Sequence, residues 1–332
     1  MHSLKDIEQA FSSRKAALTA LSHQIFEHPE IRFQEFQASQ WLCDHLEGYG
    51  FEVTRGWGSL PTAFKASFKG KVEGPKIAFL AEYDALEGLG HACGHNLIAT
   101  IGVGAALALQ PLMADLPGEI IVLGTPGEEG GGGKVIMLRE GAFEGIDAAL
   151  MIHPLHINLM GKTSLARVAW EVCYEGKPAH AAAAPHLGIN ALDAVRLAFN
   201  GMDALRQQVK QDVRMHAIIH QGGDVANVIP HQAGLKIYLR AAEKGYLYDS
   251  VLPRMRGVFE GAALMTGARV EIKEIAEPYD NIIVNETLGE RFEVWARGWG
   301  SRLSPHPRHR HWFHRPRQYL PSHACPSRLP CH

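Results

Sequence analysis

The sequence predicts an α/β fold in two layered parts. Short apolar runs at Lys76–Ala81, Glu119–Gly124 and residues 148–153 alternate with stretches of helical period, the mark of a layered α/β protein. Each run ends on polar residues able to do chemistry, where open α/β sheets place their ligands. From residue 165 to residue 275 the order becomes strand, helix, strand, strand, helix, strand, the ferredoxin-like split unit, which reads as a small domain inserted into the first.

The elements follow in chain order. Ile7, Phe11, Leu18, Leu21 and Ile25 put a helix over residues 4–28, and Phe36, Trp41, Leu42 and Leu46 a second over residues 34–49, stopped by Gly50. Strands are predicted at residues 51–54, 63–68 and 76–81. A buried helix spans residues 93–112, a strand 119–124, a helix starts at 133, and a third buried strand spans 148–153. In the inserted part, strands are predicted at 165–174, 214–220, 234–240 and 268–275, with helices at 190–209 and 245–266. An amphipathic helix begins at Glu286. The expected division is residues 1–163 and 276–293 for the first domain, 164–275 for the insert, and an aberrant tail over 294–332.

With 332 residues the chain can bury two cores, and 46% hydrophobic against 20% charged residues fits an ordinary soluble protein. Residues 1–8 are polar, without the apolar stretch of a signal peptide. The longest apolar run, residues 97–113, is short for a membrane span and reads as a buried helix. The five cysteines (43, 93, 173, 325 and 331) show no paired spacing, which points to reduced thiols and the cytoplasm. No membrane or nucleic-acid partner is expected. The net charge of −2 hides an asymmetry: residues 294–332 hold seven Arg and no Asp or Glu, leaving about −9 on the first 293 residues. That tail has no Lys and no periodic face, unlike a nucleic-acid-binding arm.

Three motifs supply a thiol, imidazoles and paired carboxylates: His91-Ala92-Cys93-Gly94-His95-Asn96, then Pro126-Gly127-Glu128-Glu129 with four glycines after it, then Met151-Ile152-His153-Pro154. Thiolate, imidazole and carboxylate are the three zinc-ligand types. A lone buried Cys is usually a small core residue, but Cys93 is flanked by His91 and His95 in a turn before a helix, whose N-terminus favours a thiolate. Glu128 and Glu129 could be a solvated acidic pair, yet they end an apolar strand. Neighbouring carboxylates can divide the work, one ligating and one shuttling protons. A phosphate loop fits poorly, because Lys134 is followed by Val135 and two carboxylates would repel phosphate. Asp84, after a buried strand, is placed to orient a ligand imidazole. His180 in Gly176-Lys177-Pro178-Ala179-His180, taken alone, reads as a surface or core histidine.

The ordered set resembles the aminoacylase-type metallopeptidases, the M-twenty peptidases. The likeness runs over roughly residues 4–293 and is strongest to the amidohydrolase branch of auxin-conjugate hydrolases, aminobenzoyl-glutamate hydrolase and β-alanyl-lysine dipeptidase. The resemblance implies a catalytic domain on a mixed sheet with an inserted lid and dimerisation domain. It implies two divalent ions, zinc or manganese, held by Cys93, His95, Glu129 and His153. It further implies Glu128 as general base, Asp84 as ligand support, His180 as the lid histidine that polarises the scissile carbonyl across a homodimer, and Asn227 and Arg240 as substrate-holding residues. The implied substrate is a small N-acyl amino acid or dipeptide, cleaved at its amide bond. Glu82 stands where other branches of the family have a His ligand.

The tail departs from the resemblance. Family members continue to a glycine-rich Ser-Thr-Asp segment and a last His ligand, and neither is present. Residues 310–321, read one nucleotide out of frame, permit a segment of that kind, so a frame shift near residue 294 is expected. The tail should pack poorly and the chain have little or no activity. The alternative is a truncated, non-catalytic product that still dimerises through its lid.

Overall fold

The computed structural model describes residues 4–161, 163–298 and 300 of the chain. It divides into two compact units, one of residues 4–155 and 164–282, the other of residues 156–161, 163, 283–298 and 300.

The larger unit holds two sheets. The first has strands β1 (Glu52–Trp57), β2 (Leu60–Lys69), β3 (Lys76–Ala81), β4 (Glu119–Gly124) and β5 (Ala148–Leu150) in the order β1-β2-β4-β3-β5. Strands β1, β2 and β4 pair antiparallel, while β3 runs parallel to both β4 and β5, so the sheet is mixed. Alternation along β4 shows why it is central. Ile120 and Val122 point into one core and Ile121 and Leu123 into another, so both faces are covered. On the first face lie helices α1 (Leu4–Glu27), α2 (Phe36–Gly48) and α3 (His95–Leu109). On the other, Phe143 and Ile146 close over Ala78, Ile121 and Leu123, next to helix α4 (Gly133–Arg139) with its buried Met137.

Two expectations for this part are corrected. The stretch 148–153 is not a third buried strand. β5 pairs only Ala148, Ala149 and Leu150 with β3, at the sheet edge, and is no more than half-buried. With one neighbour among the described residues it has half the ladder to hold it, and the chain leaves the sheet at Met151. The helix expected from Cys93 begins at His95, because Gly94 sits at φ +79°, outside helical space. A side chain there would also press on the ring of Pro154. The stretch His95–Ala114 is long and apolar enough to cross a membrane by length and composition, yet Ala99, Val103, Ala106 and Leu107 sit in the core against α1 and the sheet.

The second sheet has strands β6 (Ala166–Glu175), β7 (Arg214–Gln221), β8 (Gln232–Ala241) and β9 (Arg269–Glu274) in the order β7-β8-β6-β9, all antiparallel. Helices α5 (Ala191–Leu205) and α7 (Leu252–Thr266) bury Ala194, Val195, Met255 and Phe259 against Val168, Trp170, Leu235 and Ile237. Asn190 caps α5, its side-chain oxygen accepting from the N–H groups of Leu192 and Asp193. The helix expected over 245–266 is broken into α6 (Lys244–Tyr246), a π turn (Leu247–Val251) and α7. Pro253 explains the break: it has no N–H to return to the preceding turn, and the ladder widens before it.

In the smaller unit, helix α8 (Glu286–Gly298) starts where Asn285 accepts from the N–H of Leu288. It continues five residues past Glu293, so helical structure reaches Gly298 rather than ending near 294. The expectation for the rest of the tail, Gly300 apart, lies outside the described residues.

Candidate metal centre

The chemistry-bearing residues meet at one edge of the first sheet. Strands β3, β4 and β5 are parallel, so their C-terminal ends share that edge. Glu82 and Asp84 follow β3, Glu128 and Glu129 follow β4, and His153 follows β5. Cys93 and His95 come to the same place at the start of α3. Beyond Ala81 the chain stays extended, so Glu82 and Asp84 share a side while Tyr83 turns into the core and donates its hydroxyl to the carbonyl of Thr62 at 2.6 Å.

Cys93, His95 and Glu129 each place a donor atom within 4.8 Å of the others, and Glu82, His95 and His153 do the same. Asp84 organises the first group. One oxygen accepts from Nδ1 of His95 at 3.0 Å, and the other accepts from the backbone N–H of Glu129 at 2.8 Å. Since a carboxylate can only accept, Nδ1 carries the proton and Nε2 presents a lone pair to the cluster. His153 is fixed in the same sense, because its Nδ1 donates to the carbonyl of Pro154 at 2.8 Å. Its ring stands perpendicular to that of His95, with centroids 5.9 Å apart. An open cleft of about 460 Å³, lined by Phe26, His91, Cys93, Leu97 and His153, leads to the cluster.

The electrostatics are those of a cluster short of positive charge. Burial disfavours both charged partners of the His95–Asp84 pair. Their mutual hydrogen bond outweighs it, holding His95 above and Asp84 below the usual range. Burial and the Glu82 carboxylate push Glu128 up. The surrounding side chains by themselves favour the thiol at Cys93. Its hydrogen bond to Glu129, with burial and the charges of Glu129, Glu128 and Asp84, raises the thiol to about 11. Three carboxylates outweigh one helix N-terminus, and a cation among them would reverse that order. A divalent ion fits this donor set. Nε2 of His95 and Oε2 of Glu82 are buried with no hydrogen-bond partner among the described residues, which a folded protein tolerates poorly without a further group.

The remaining expected residues lie on the second sheet and its loops. His180 is exposed, and its Nδ1 accepts from the N–H groups of Ala182 and Ala183 at 3.2 and 3.1 Å. Asn227 is exposed beside it, its carbonyl accepting from the N–H of Ala181. Arg240 lies on β8 between Arg167 and Arg214, stacked over Tyr238.

Sequence reasoning passed over the groups that hold the Glu128-Glu129 turn. Glu35 is fully buried and accepts from the N–H groups of Phe33 and Gly127 and the hydroxyl of Thr62. Arg32 donates to the carbonyl of Glu129, and the hydroxyl of Tyr279 to that of Glu128. Gly127, at φ +65°, lies under the Phe33 ring, where a Cβ would come within 2.5 Å of it. The only sequence signal for Glu35 was an acidic residue beside an apolar helix start.

Burial pushes Glu35 from 4.5 to about 7, against its backbone hydrogen bonds. The folded state therefore holds a proton that the unfolded chain has released between those values. This contribution to stability is whole below pH about 4.5 and is lost as pH rises through about 7, by about 3 kcal/mol. Glu35→Gln keeps the acceptor for both N–H groups and carries no charge to bury. Its melting temperature should match the parent at pH 5 and exceed it at pH 8. Parallel melting curves for the two proteins across that range would sink the assignment.

Comparison with known proteins places the chain. Residues 76–287 match the family described as peptidase family M20/M25/M40. The chain belongs to that family. It is 43% identical over 284 residues to the Xaa-Arg dipeptidase of Mus musculus, covering 82% of this chain and 65% of the relative. It is 40% identical over 292 residues to one of the subunits of p-aminobenzoyl-glutamate hydrolase from Escherichia coli K12, covering 80% and 59%. The chain thus spans less than two thirds of each of these two relatives. Among solved structures it resembles the YXEP protein of Bacillus subtilis, titled a dinuclear metal-binding peptidase of the M20 family, with TM-score 0.68, 25% identity, and coverage of 90% of this chain and 83% of that one. It shares its fold with an aminobenzoyl-glutamate utilization protein of Klebsiella pneumoniae, at TM-score 0.72, 23% identity, and 90% and 84% coverage.

Proposed function

We propose that the protein is a metal-dependent amidohydrolase or dipeptidase that cleaves the amide bond of a small N-acyl amino acid or dipeptide. The observation that carries this reading is the convergence of Cys93, His95 and Glu129 at the sheet edge, with Asp84 bonded to both His95 and Glu129. The relatives support it, one being named a dipeptidase and the other part of a p-aminobenzoyl-glutamate hydrolase.

Cys93, His95, Glu129 and His153 would hold two divalent ions, zinc or manganese, which supply Lewis acidity toward the scissile carbonyl and make the attacking water more acidic. The side chains do the rest. Glu128, biased toward protonation by burial and by Glu82, takes the proton of the water and hands it to the leaving amine. Asp84 keeps His95 in one tautomer and orientation. Nδ1 of His180 accepts from two backbone N–H groups, so its proton sits on Nε2, ready to donate to the carbonyl oxygen as charge develops there. Asn227 and Arg240 hold the polar end of the substrate, Arg240 by pairing with its carboxylate. In this reading residues 164–275 are an inserted ferredoxin-like lid that also forms a homodimer, and residues 1–163 with 276–293 the catalytic domain of a cytoplasmic enzyme. The break in composition at residue 294 supports a shifted frame beyond it, and little or no turnover beside longer relatives.

The test is a screen of the purified chain, loaded with zinc or manganese, against N-acyl amino acids, β-alanyl dipeptides and aminobenzoyl-glutamate. Release of amine, abolished by chelation, is expected for at least one class. A folded, metal-poor dimer that releases nothing would instead support the non-catalytic alternative.

A further inference from the structure

Glu82 and Lys134 border the cluster, and the reading above gives neither a direct role. Glu82 follows β3 and is 1% exposed. Its Oε1 accepts from the ammonium of Lys134, which reaches over from the first turn of α4. Among the described residues its Oε2 has no hydrogen-bond partner and faces Nε2 of His95, also unpartnered there, across 3.6 Å. Nδ1 of His95 already carries its proton toward Asp84, so two lone pairs confront each other in a buried place. A second proton on the ring would make an ion pair with Glu82, yet at 3.6 Å neither atom would gain a hydrogen bond.

A shared cation would resolve it. Donors about 2.1 Å from one ion and 3.6 Å from each other subtend about 120° at it, close to the tetrahedral range. The oxygens of Glu129 and Glu128 lie farther from the same nitrogen, at 3.8 and 4.0 Å. His153 completes a compact group with Glu82 and His95. We propose that Glu82 is a metal ligand, binding through Oε2 to the ion that Nε2 of His95 holds. Lys134 occupies the other oxygen, keeping the carboxylate monodentate and offsetting part of the negative charge gathered by Asp84, Glu128 and Glu129. An imidazole nitrogen has one lone pair, so His95 serves a single ion, and Glu82 would join it there. This rests on the metal-centre reading above and adds a ligand to it.

The experiment compares the full chain with Glu82→Gln, Lys134→Met and the double variant carrying both. Each is loaded with zinc, dialysed, and measured for metal content, for affinity by chelator competition, and for the absorption spectrum of its cobalt(II) form. Glu82→Gln should weaken zinc binding about tenfold or more and change the cobalt spectrum. The double variant removes the ion pair as a unit and leaves no lone buried charge, so it guards against simple misfolding. It should remain as deficient as Glu82→Gln. Parent-like affinity and spectrum in Glu82→Gln would overturn the proposal. So would recovery in the double variant, which would reduce Glu82 to a partner for Lys134. A parent chain that binds no zinc would overturn the metal centre and this ligand together, whereas a parent that binds zinc as tightly as Glu82→Gln overturns the ligand alone.

Discussion

Glu128→Gln should reduce amide turnover by about 10²–10⁴-fold, with metal content and melting temperature close to the parent. Glu128 is near enough to act, since its carboxylate lies 4.0 Å from Nε2 of His95, yet Glu82 and Glu129 lie closer to that nitrogen. Its backbone is held independently, with the hydroxyl of Tyr279 donating to its carbonyl, so an isosteric amide should leave the turn in place. Burial and the Glu82 charge raise its carboxyl above the usual value, which strengthens it as a proton acceptor. Glutamine keeps the shape and loses that capacity. The measurement is kcat of both proteins under saturating substrate, alongside metal analysis. A variant within a few-fold of the parent would show that another group carries the proton, and a variant that loses its metal would make Glu128 a ligand instead.

The layered core was legible because apolar runs of opposite periodicity mark buried strands and helices. The apolar run Ile120 to Leu123 of β4 and the largely apolar α3 announce themselves as central, and the strand ends then point to the candidate site. Legibility failed where the outcome depended on a neighbour distant in sequence. Residues 148–153 look as buried as β4, but a strand's burial depends on how many partners its sheet supplies, and among the described residues β5 has one. Its own helix points Cys93 toward the thiolate, whereas the strongest pull on it comes from Glu129, thirty-six residues on. Glu35 shows the same gap: nothing local says that its carboxylate will receive the N–H of Gly127, ninety-two residues away. Motifs name the donors of a site. The groups that hold those donors come from the fold.

Asp84→Asn should be the most damaging single substitution at the centre, measured by metal affinity and stability rather than by turnover. Asp84 receives two hydrogens at once, from Nδ1 of His95 and from the N–H of Glu129, at 3.0 and 2.8 Å, and is 1% exposed. An asparagine offers one acceptor oxygen, so its NH₂ must face one of those donors. If it faces His95, the ring is driven to shift its proton to Nε2, and the lone pair leaves the cluster. If it faces Glu129, a buried N–H loses its partner and the turn carrying both glutamates is released. Either way a buried donor is left unmatched, at about 1–3 kcal/mol, and the charge that holds His95 in place is gone. Metal affinity should fall by about 10–100-fold, the usual cost of losing a partner that orients a ligand. Thermal melts and zinc competition on the same preparation check both effects. A stable variant with undiminished zinc affinity would mean that His95 and Glu129 hold their places without Asp84, and the account of the site given by these two hydrogen bonds would have to be abandoned.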